Sequence, residues 1–496
     1  MLKFFKLQNL FFDKIIFIPI LLLPFLLISG PFLPDFFISL SAILFLFFCF
    51  KNKDFKYFNN YYFLFFFIIY IYMNINSFFS FSPLISFQTS VPYIRIIIFS
   101  LCFAFILSKK NFLKLFFFSF YLSFIFLFID SLIQLTTGFN TIGYPAQDRI
   151  SSFFEEELIM GSFISRTLPF LLGIIFILDI KYKQYISLIL LLISGVLVFI
   201  SGERLAFAYY AITVFFFLIF FFDTKYKFYF LSLIIILFTL ITSNNSGFFN
   251  RLFFHTLGQL KEGKTIFSTS YRHELHYLTA LKMFQDKKIL GQGLRSFRYL
   301  CADSRFTVQD KINLDFAKTS PIEGIYNIEK MFDVVDLLGN GIRTTVEYYH
   351  ITISSKHSQT TFDISDYYIK FYKYPGEHVK KDEVIFSNYN YSNGCNTHPH
   401  NIYLQILSEI GLIGFILFFS FFLFLFFLLK NIYLRSKKQE QLLTDKPNFF
   451  FILGLILTLF PLFPSGSFFN NWLLVIFSIN LGFLINYYPL NIKKND

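Results

Sequence analysis

The chain has 496 residues, 55% of them hydrophobic and 23% aromatic, with a mean hydropathy of +0.58, and that balance excludes an ordinary soluble globular protein. The net charge of +12, from 43 Lys and Arg against 31 Asp and Glu, would fit a nucleic-acid binder, but in a membrane protein basic residues gather in cytoplasmic loops, so their positions decide. The 81 Phe reflect base-composition bias and lipid exposure, and no function attaches to them singly.

At about 20 apolar residues per span, twelve transmembrane helices are expected, at roughly 12–30, 33–50, 59–75, 91–108, 113–136, 161–180, 184–201, 205–222, 228–243, 402–430, 448–464 and 468–488. Alternate loops are basic: Lys3 and Lys6; Lys51, Lys53 and Lys56; Lys109, Lys110 and Lys114; Lys181 and Lys183; Lys225 and Lys227; Lys430 to Lys446; and Lys493 and Lys494. The positive-inside rule makes these cytoplasmic, with both termini inside and no nucleic-acid partner. The short opposite loops carry only Arg149 and Arg204. Arg204, in SGERLAF, lies on the outer side against the charge rule. It is either a snorkelling or Glu203-paired arginine or a functional one, and the cost of charge at a membrane favours function.

The chain therefore divides into helices 1–9 over 1–243, an outer loop domain over 244–401, and helices 10–12 with a cytoplasmic tail over 402–496. The first part of the loop domain, 244–329, reads as mainly helical: Ser270 caps a helix with Arg272 and His273 in its first turn. Gly291 and Gly293, in DKKILGQGLRSF, read as a helix end and tight turn. From 330 to 392, alternating β-branched and aromatic residues predict a small β insertion, including a hairpin at YPGEHVKKDEVIFS. Cys49 and Cys102 sit in apolar runs as inert core residues. Cys301 and Cys395 lie in the polar segment and are candidates for a disulfide closing its base.

The densest chemistry is in Cys395–Gly414, CNTHPHNIYLQILSEIGLIG. Pro399 suits the first turn of a helix, with Thr397 or His398 as cap, which puts His400 in that turn, where partial positive charge keeps imidazole neutral. Asn401, Gln405, Ser408 and Glu409 draw a polar stripe along the helix. With Arg149, the run Glu155–Glu157, Arg166, Arg204, Arg272 and His398, topology gathers these groups on the outer face. Guanidinium forks suit a diphosphate, and a neutral histidine suits removal of a proton from a hydroxyl. Zinc is the competing reading, with HPH as a ligand pair and His378, His357 or Cys395 as a third ligand. A structural histidine is a second. No metal or other cofactor is expected.

The segments CNTHPHNIYLQILSEIGLIGFILF, SGERLAF, SYRHELHYLTALKMFQDKKILGQGLRSF and DRISSFFEEELIMGSFISRTLP together resemble, in order, the bacterial O-antigen ligase and O-antigen polymerase superfamily. The resemblance runs from about Arg149 to Phe418. It implies an all-α polytopic membrane protein with a GT-C-like core in the bacterial inner membrane, its active site facing the periplasm. It further implies metal-independent, inverting glycosyl transfer from an undecaprenyl-diphosphate-linked glycan to an acceptor hydroxyl. Arg204 and Arg272 would bind the diphosphate and His400 would activate the acceptor; Arg149, Arg166, His398, Asn401 and Gln405 are expected to bind substrate. The partners implied are membrane lipids, the lipid-linked donor, and either lipid A-core, for a ligase, or a growing glycan, for a polymerase. A transporter of lipid-linked glycans is the alternative from another class, although charges gathered at outer helix ends fit an enzyme better.

Overall fold

The computed structural model describes residues 2–109, 111–146, 149–155, 157–220, 224–244, 250–254, 271–301, 303, 305–306, 308, 324–335, 344–355, 368–369, 395–436, 442–461, 464–490 and 492. Helices α1 (Leu2–Ile28), α2 (Phe32–Asn52), α3 (Tyr61–Phe78), α4 (Pro83–Ser90), α5 (Ile94–Leu107), α6 (Phe112–Thr137), α7 (Met160–Ile177), α8 (Lys183–Ile200), α9 (Arg204–Phe220) and α10 (Thr224–Asn244) are followed by α11 (Tyr271–Asp286) and the short α12 (Phe297–Leu300). Then come α13 (Ile402–Ser436), α14 (Leu442–Thr458) and α15 (Asn471–Tyr487).

Among the described residues, seven helices are long and apolar enough to cross a membrane: α2, α3, the stretch Pro83–Leu107, α6, α7, α8 and α13. Ile15–Ile28, α9, Tyr226–Thr239 and α15 are shorter apolar helices. The protein is thus a mainly helical, multi-pass membrane protein, and twelve spans is a finer expectation than this criterion reaches. The expected loop at 76–90 contains α4, because Pro83 stands in its first turn with a preset φ and no N–H to satisfy.

Strands β1 (Gly324–Val335) and β2 (Thr344–Ser355) pair antiparallel, with Gly324 opposite Ser355 and Val335 opposite Thr344; β3 (Tyr368–Ile369) adds to β2. The rest of the expected insertion, including the YPGEHVKKDEVIFS hairpin, lies outside the described residues, so a separate β module remains an expectation.

The chain forms two compact units, one of 1–72, 92–262 and 416–496 and the other of 73–91 and 263–415. In the first, α7 packs against α8, α9 and α14, and α15 packs against α5 and α14. Phe116, Phe120, Phe163, Phe170 and Phe199 are fully buried there, and the stacking of Phe451 on Phe483, 4.3 Å between centroids, joins α14 to α15. In the second unit, Ala280, Met283, Phe297, Leu300, Cys301 and Phe306 form a core against which Phe81, Cys395 and Leu404 pack.

The second unit is organised by a break in α13. Gly411 has φ 67° and ψ −167°, which ends one helical segment after Ile410 and starts another at Leu412. At about 1.5 Å per residue the 402–410 part is only a short helix, whereas 412–436 is long enough to cross a hydrocarbon layer unaided. A break strands backbone groups, and near lipid each must find a partner in protein. The 287–293 segment supplies them. Gln292 N–H donates to Ser408 O (2.9 Å), Gly293 N–H to Glu409 O (2.8 Å), and Leu412 N–H donates to Lys288 O (2.9 Å).

That segment is held in turn from the other side. Phe81 N–H donates to Gln292 O (2.9 Å), Ser86 Oγ to Leu294 O (3.1 Å), and Asn76 Nδ2 to Leu290 O. The GQG sequence is therefore more than the expected turn. Its backbone lies in the break so closely that a Cβ on Gly291 would stand 2.6 Å from Gly411 N, and one on Gly293 would run into Ser80. Gly291 and Gly411 also have positive φ.

Gly291→Ala and Gly411→Ala should each destabilise the protein by more than about 1 kcal/mol, through strained φ and overpacking. Thermal unfolding in detergent checks this, and an unchanged midpoint for both would refute the docked-loop account.

Candidate active site

In the second unit, α13 begins at Ile402, three residues beyond Pro399, where the sequence pattern starts it. Asn401 is its cap: Oδ1 accepts the N–H of Tyr403 (3.0 Å) and of Leu404 (3.1 Å), the N2 and N3 donors that a cap satisfies. Neither Thr397 nor His398 caps, and Pro399 precedes the helix. His400 is outside the first turn, with φ 56°. An asparagine two residues beyond a proline is the stronger cap, and it outranks the threonine or histidine expected from Pro399 alone.

His400 nonetheless sits among imidazoles. Its ring centroid lies 4.2 Å from His398, 5.2 Å from His273 and 5.4 Å from His276. His273 and His276 come from one face of α11, as their three-residue spacing in SYRHELHY indicates. Burial, with the neighbouring imidazoles adding to it, pushes the His400 pKa down to about 3. The ring is thus neutral near pH 7, as expected, but desolvation is the main cause and not the helix N-terminus.

The segment before the helix is tied down covalently. Cys301 and Cys395 form a disulfide with Cα atoms 4.8 Å apart, joining the end of α12 to the chain next to Asn396. Asn396 bonds to His400, its Nδ2 lying 3.0 Å from Nε2. Thr397 Oγ1 lies 3.0 Å from His398 Nδ1.

The rest of the polar stripe faces protein. Gln405 Nε2 donates to Glu409 Oε2 (3.3 Å), and Glu409 Oε1 accepts Phe297 N–H (3.4 Å) at the start of α12. All of Asn401, Gln405, Ser408 and Glu409 are buried. Asn401 and Gln405, both expected to bind substrate, make these bonds to the protein itself. Arg272 lies in the first turn of α11, but its side chain is not among those described; Ser270 lies outside the described residues.

In the first unit, SGERLAF forms the turn between α8 and α9. Gly202 takes φ 62°, and Glu203 reaches α7, where it accepts Ser162 N–H (3.1 Å to Oε2) and Ser162 Oγ–H (2.5 Å). The carboxylate at the start of α7 is thus Glu203, while Glu155 and Glu157 lie in the preceding loop and Glu156 is outside the described residues. Gly161 makes the approach possible, since a Cβ there would meet Ser201 Oγ and come within 3.0 Å of Glu203 Oε1. Burial raises the Glu203 pKa, and the Ser162 bonds and the charges of Arg166 and Arg149 oppose that shift.

Arg149 is partly buried in a loop held by α6: Thr141 N–H donates to Asp130 Oδ1 (2.8 Å), Ser152 Oγ to Asp130 Oδ2 (2.6 Å), and Ser152 N–H to Gln134 Oε1 (2.8 Å). Arg166, only 2% exposed, has its guanidinium carbon 5.0 Å from the Tyr209 ring and 5.8 Å from that of Trp472. Its Nε and Nη1 find no hydrogen-bond partner among the described residues. Arg204 is partly buried at the start of α9.

For the zinc reading, His357 and His378 are outside the described residues, and Cys395 is committed to the disulfide. Among the described residues, no three His, Cys, Asp or Glu side chains are grouped so as to hold a metal ion.

Two measurements follow from this geometry. A pKa lowered from 6.5 to about 3 means that the unfolded chain binds the extra proton between those values. His400 therefore favours the fold above pH 6.5 and loses that contribution as pH falls, by at most about 1.4 kcal/mol per unit. Unfolding free energies of His400→Asn should fall less steeply than wild type from pH 6.5 to 4; parallel curves would contradict its burial. Separately, Cys395→Ser should lower stability by about 2–5 kcal/mol, as loss of a bridge across 94 residues implies; an unshifted unfolding midpoint would mean that the bridge restrains little.

Residues 189–324 match the family described as O-antigen ligase. The matched stretch starts in α8, contains the Arg204 turn and the Arg272 end of α11, and stops at the first residue of β1; Arg149, Arg166 and His400 fall outside it. No curated protein matches the chain significantly. Over residues 189–324, the chain is thus similar to the O-antigen ligase family.

Proposed function

We propose that the protein is a glycosyltransferase that moves a glycan from undecaprenyl diphosphate to an acceptor hydroxyl on the periplasmic face of the inner membrane. The most specific form of this reading is O-antigen ligation to lipid A-core. The observation that carries it is His400, a neutral imidazole seated in a covalently fastened segment of a chain with an O-antigen ligase segment.

In this reading His400 takes the proton of the acceptor hydroxyl as the oxygen attacks the anomeric carbon. The bond from that carbon to the diphosphate oxygen breaks with its electron pair, and inversion results. The family resemblance supports Arg204 and Arg272 as groups for the diphosphate, whose charge grows as it departs, with Arg149 and Arg166 as further donor-binding candidates. His398 belongs to the acceptor side. An imidazole with a pKa near 3 is a weak base, but an anionic diphosphate beside it favours the imidazolium, so proton uptake is favoured when donor is bound. The reaction written this way needs neither metal nor nucleotide sugar. The basic loops support a placement of both termini in the cytoplasm.

A clean deletion analysed by lipopolysaccharide gel and by lipid-linked intermediates tests the class. Loss of all long-chain ladder bands, with polymer accumulating on the carrier, is the expected result. A band of single repeats would make the protein a polymerase, and glycan trapped on the cytoplasmic side would make it a flippase. In normally inserted protein, Arg204→Lys should reduce ligation at least about tenfold through loss of the fork geometry.

A further inference from the structure

We infer that Asn396 is a positioning residue for the transfer: it fixes the tautomer of His400, with the proton on Nδ1 and the lone pair on Nε2, and marks the place from which the acceptor hydroxyl donates. The inference rests on the general-base reading of His400 above.

The orientation of the Asn396 amide is set within the protein. Thr397 N–H donates to Asn396 Oδ1 at 2.7 Å, and Thr397 Oγ1 lies 3.4 Å from the same oxygen. The amide oxygen is thus turned to its neighbour, leaving Nδ2, which has only hydrogens to offer, 3.0 Å from His400 Nε2. Nε2 must accept, and a neutral ring then carries its proton on Nδ1. The disulfide at Cys395, one residue away, holds this stretch against α12, and His400 itself takes a φ of 56°.

Protonation of Nε2 would set one donor against another, so the contact opposes imidazolium in the resting protein. The other titratable groups facing His400 act in the same sense: His398 from its own segment, and His273 and His276 from α11. In the reaction, the acceptor hydroxyl replaces the amide as donor to Nε2. Its proton passes to Nε2, its oxygen bonds to the anomeric carbon, and the diphosphate leaves with the electron pair of the broken bond. Asn396 itself touches neither the donor's anomeric carbon nor the acceptor oxygen and acts only through His400. It is exposed, so its substitution leaves the core untouched.

The test is the pH profile of transfer by purified protein reconstituted with lipid-linked glycan and acceptor. Asn396→Asp replaces a donor by an acceptor, which draws the proton to Nε2 and stabilises imidazolium. The expected result is a loss of about a hundredfold in kcat, with the acid limb of kcat/KM shifted upward by at least one pH unit and KM for the donor unchanged. Asn396→Ala, which removes the bias without reversing it, should shift the limb upward with a smaller loss. Unchanged rate and limb in both variants, or equal losses with an unmoved limb, would overturn the inference. A fully active His400→Ala would instead overturn the base reading. An inactive His400→Ala together with unshifted Asn396 variants removes only the role of Asn396.

Discussion

The backbone ladder between residues 287–293 and the break at Gly411 is the constraint on which the second unit depends. A helix that crosses a membrane satisfies its own N–H and C=O groups, and interrupting it exposes them at a cost of about 1–3 kcal/mol each when buried without partners. Here the partners are backbone groups of Lys288, Gln292 and Gly293, and glycine at 291, 293 and 411 lets the two chains approach. With the break satisfied, the 402–410 helix is held as a separate short element. Its cap Asn401 and the preceding histidines are then placed by protein contacts instead of by the long helix that follows.

Placement of His400 is a chain of such restraints. Glu409, inside the short helix, accepts from the first turn of α12; α12 ends at the disulfide; the disulfide fastens Asn396; and Asn396 meets His400. The same economy recurs at SGERLAF in the first unit, where Gly161 and Gly202 let Glu203 serve the start of α7. In both units a tight turn holds polar residues at the end of an apolar helix, the arrangement expected where charged substrate meets a membrane protein.

The helical character was legible because hydropathy and span length follow directly from the bilayer, and the motif at 201–207 was legible because an arginine there broke the charge pattern. Asn401 as cap was missed, since Pro399 offered an equally valid helix start three residues earlier. The role of GQG was missed because local rules read Gly291 and Gly293 as turn residues, and the partner that gives them meaning is more than a hundred residues away. The spacing of His273 and His276 shows only that they share a helix face; the approach of His276 and Asn396 to His400 is a tertiary contact that no local spacing encodes. For Asn401 and Gln405, the polar stripe shows that a helix face is covered, not by what.

The account rests on His400 as the base of glycosyl transfer. The most direct measurement is the single-turnover rate of His400→Ala protein in proteoliposomes supplied with lipid-linked glycan and acceptor. The account predicts a rate at least about a hundredfold below wild type with donor binding preserved. A rate within a few-fold of wild type would contradict it.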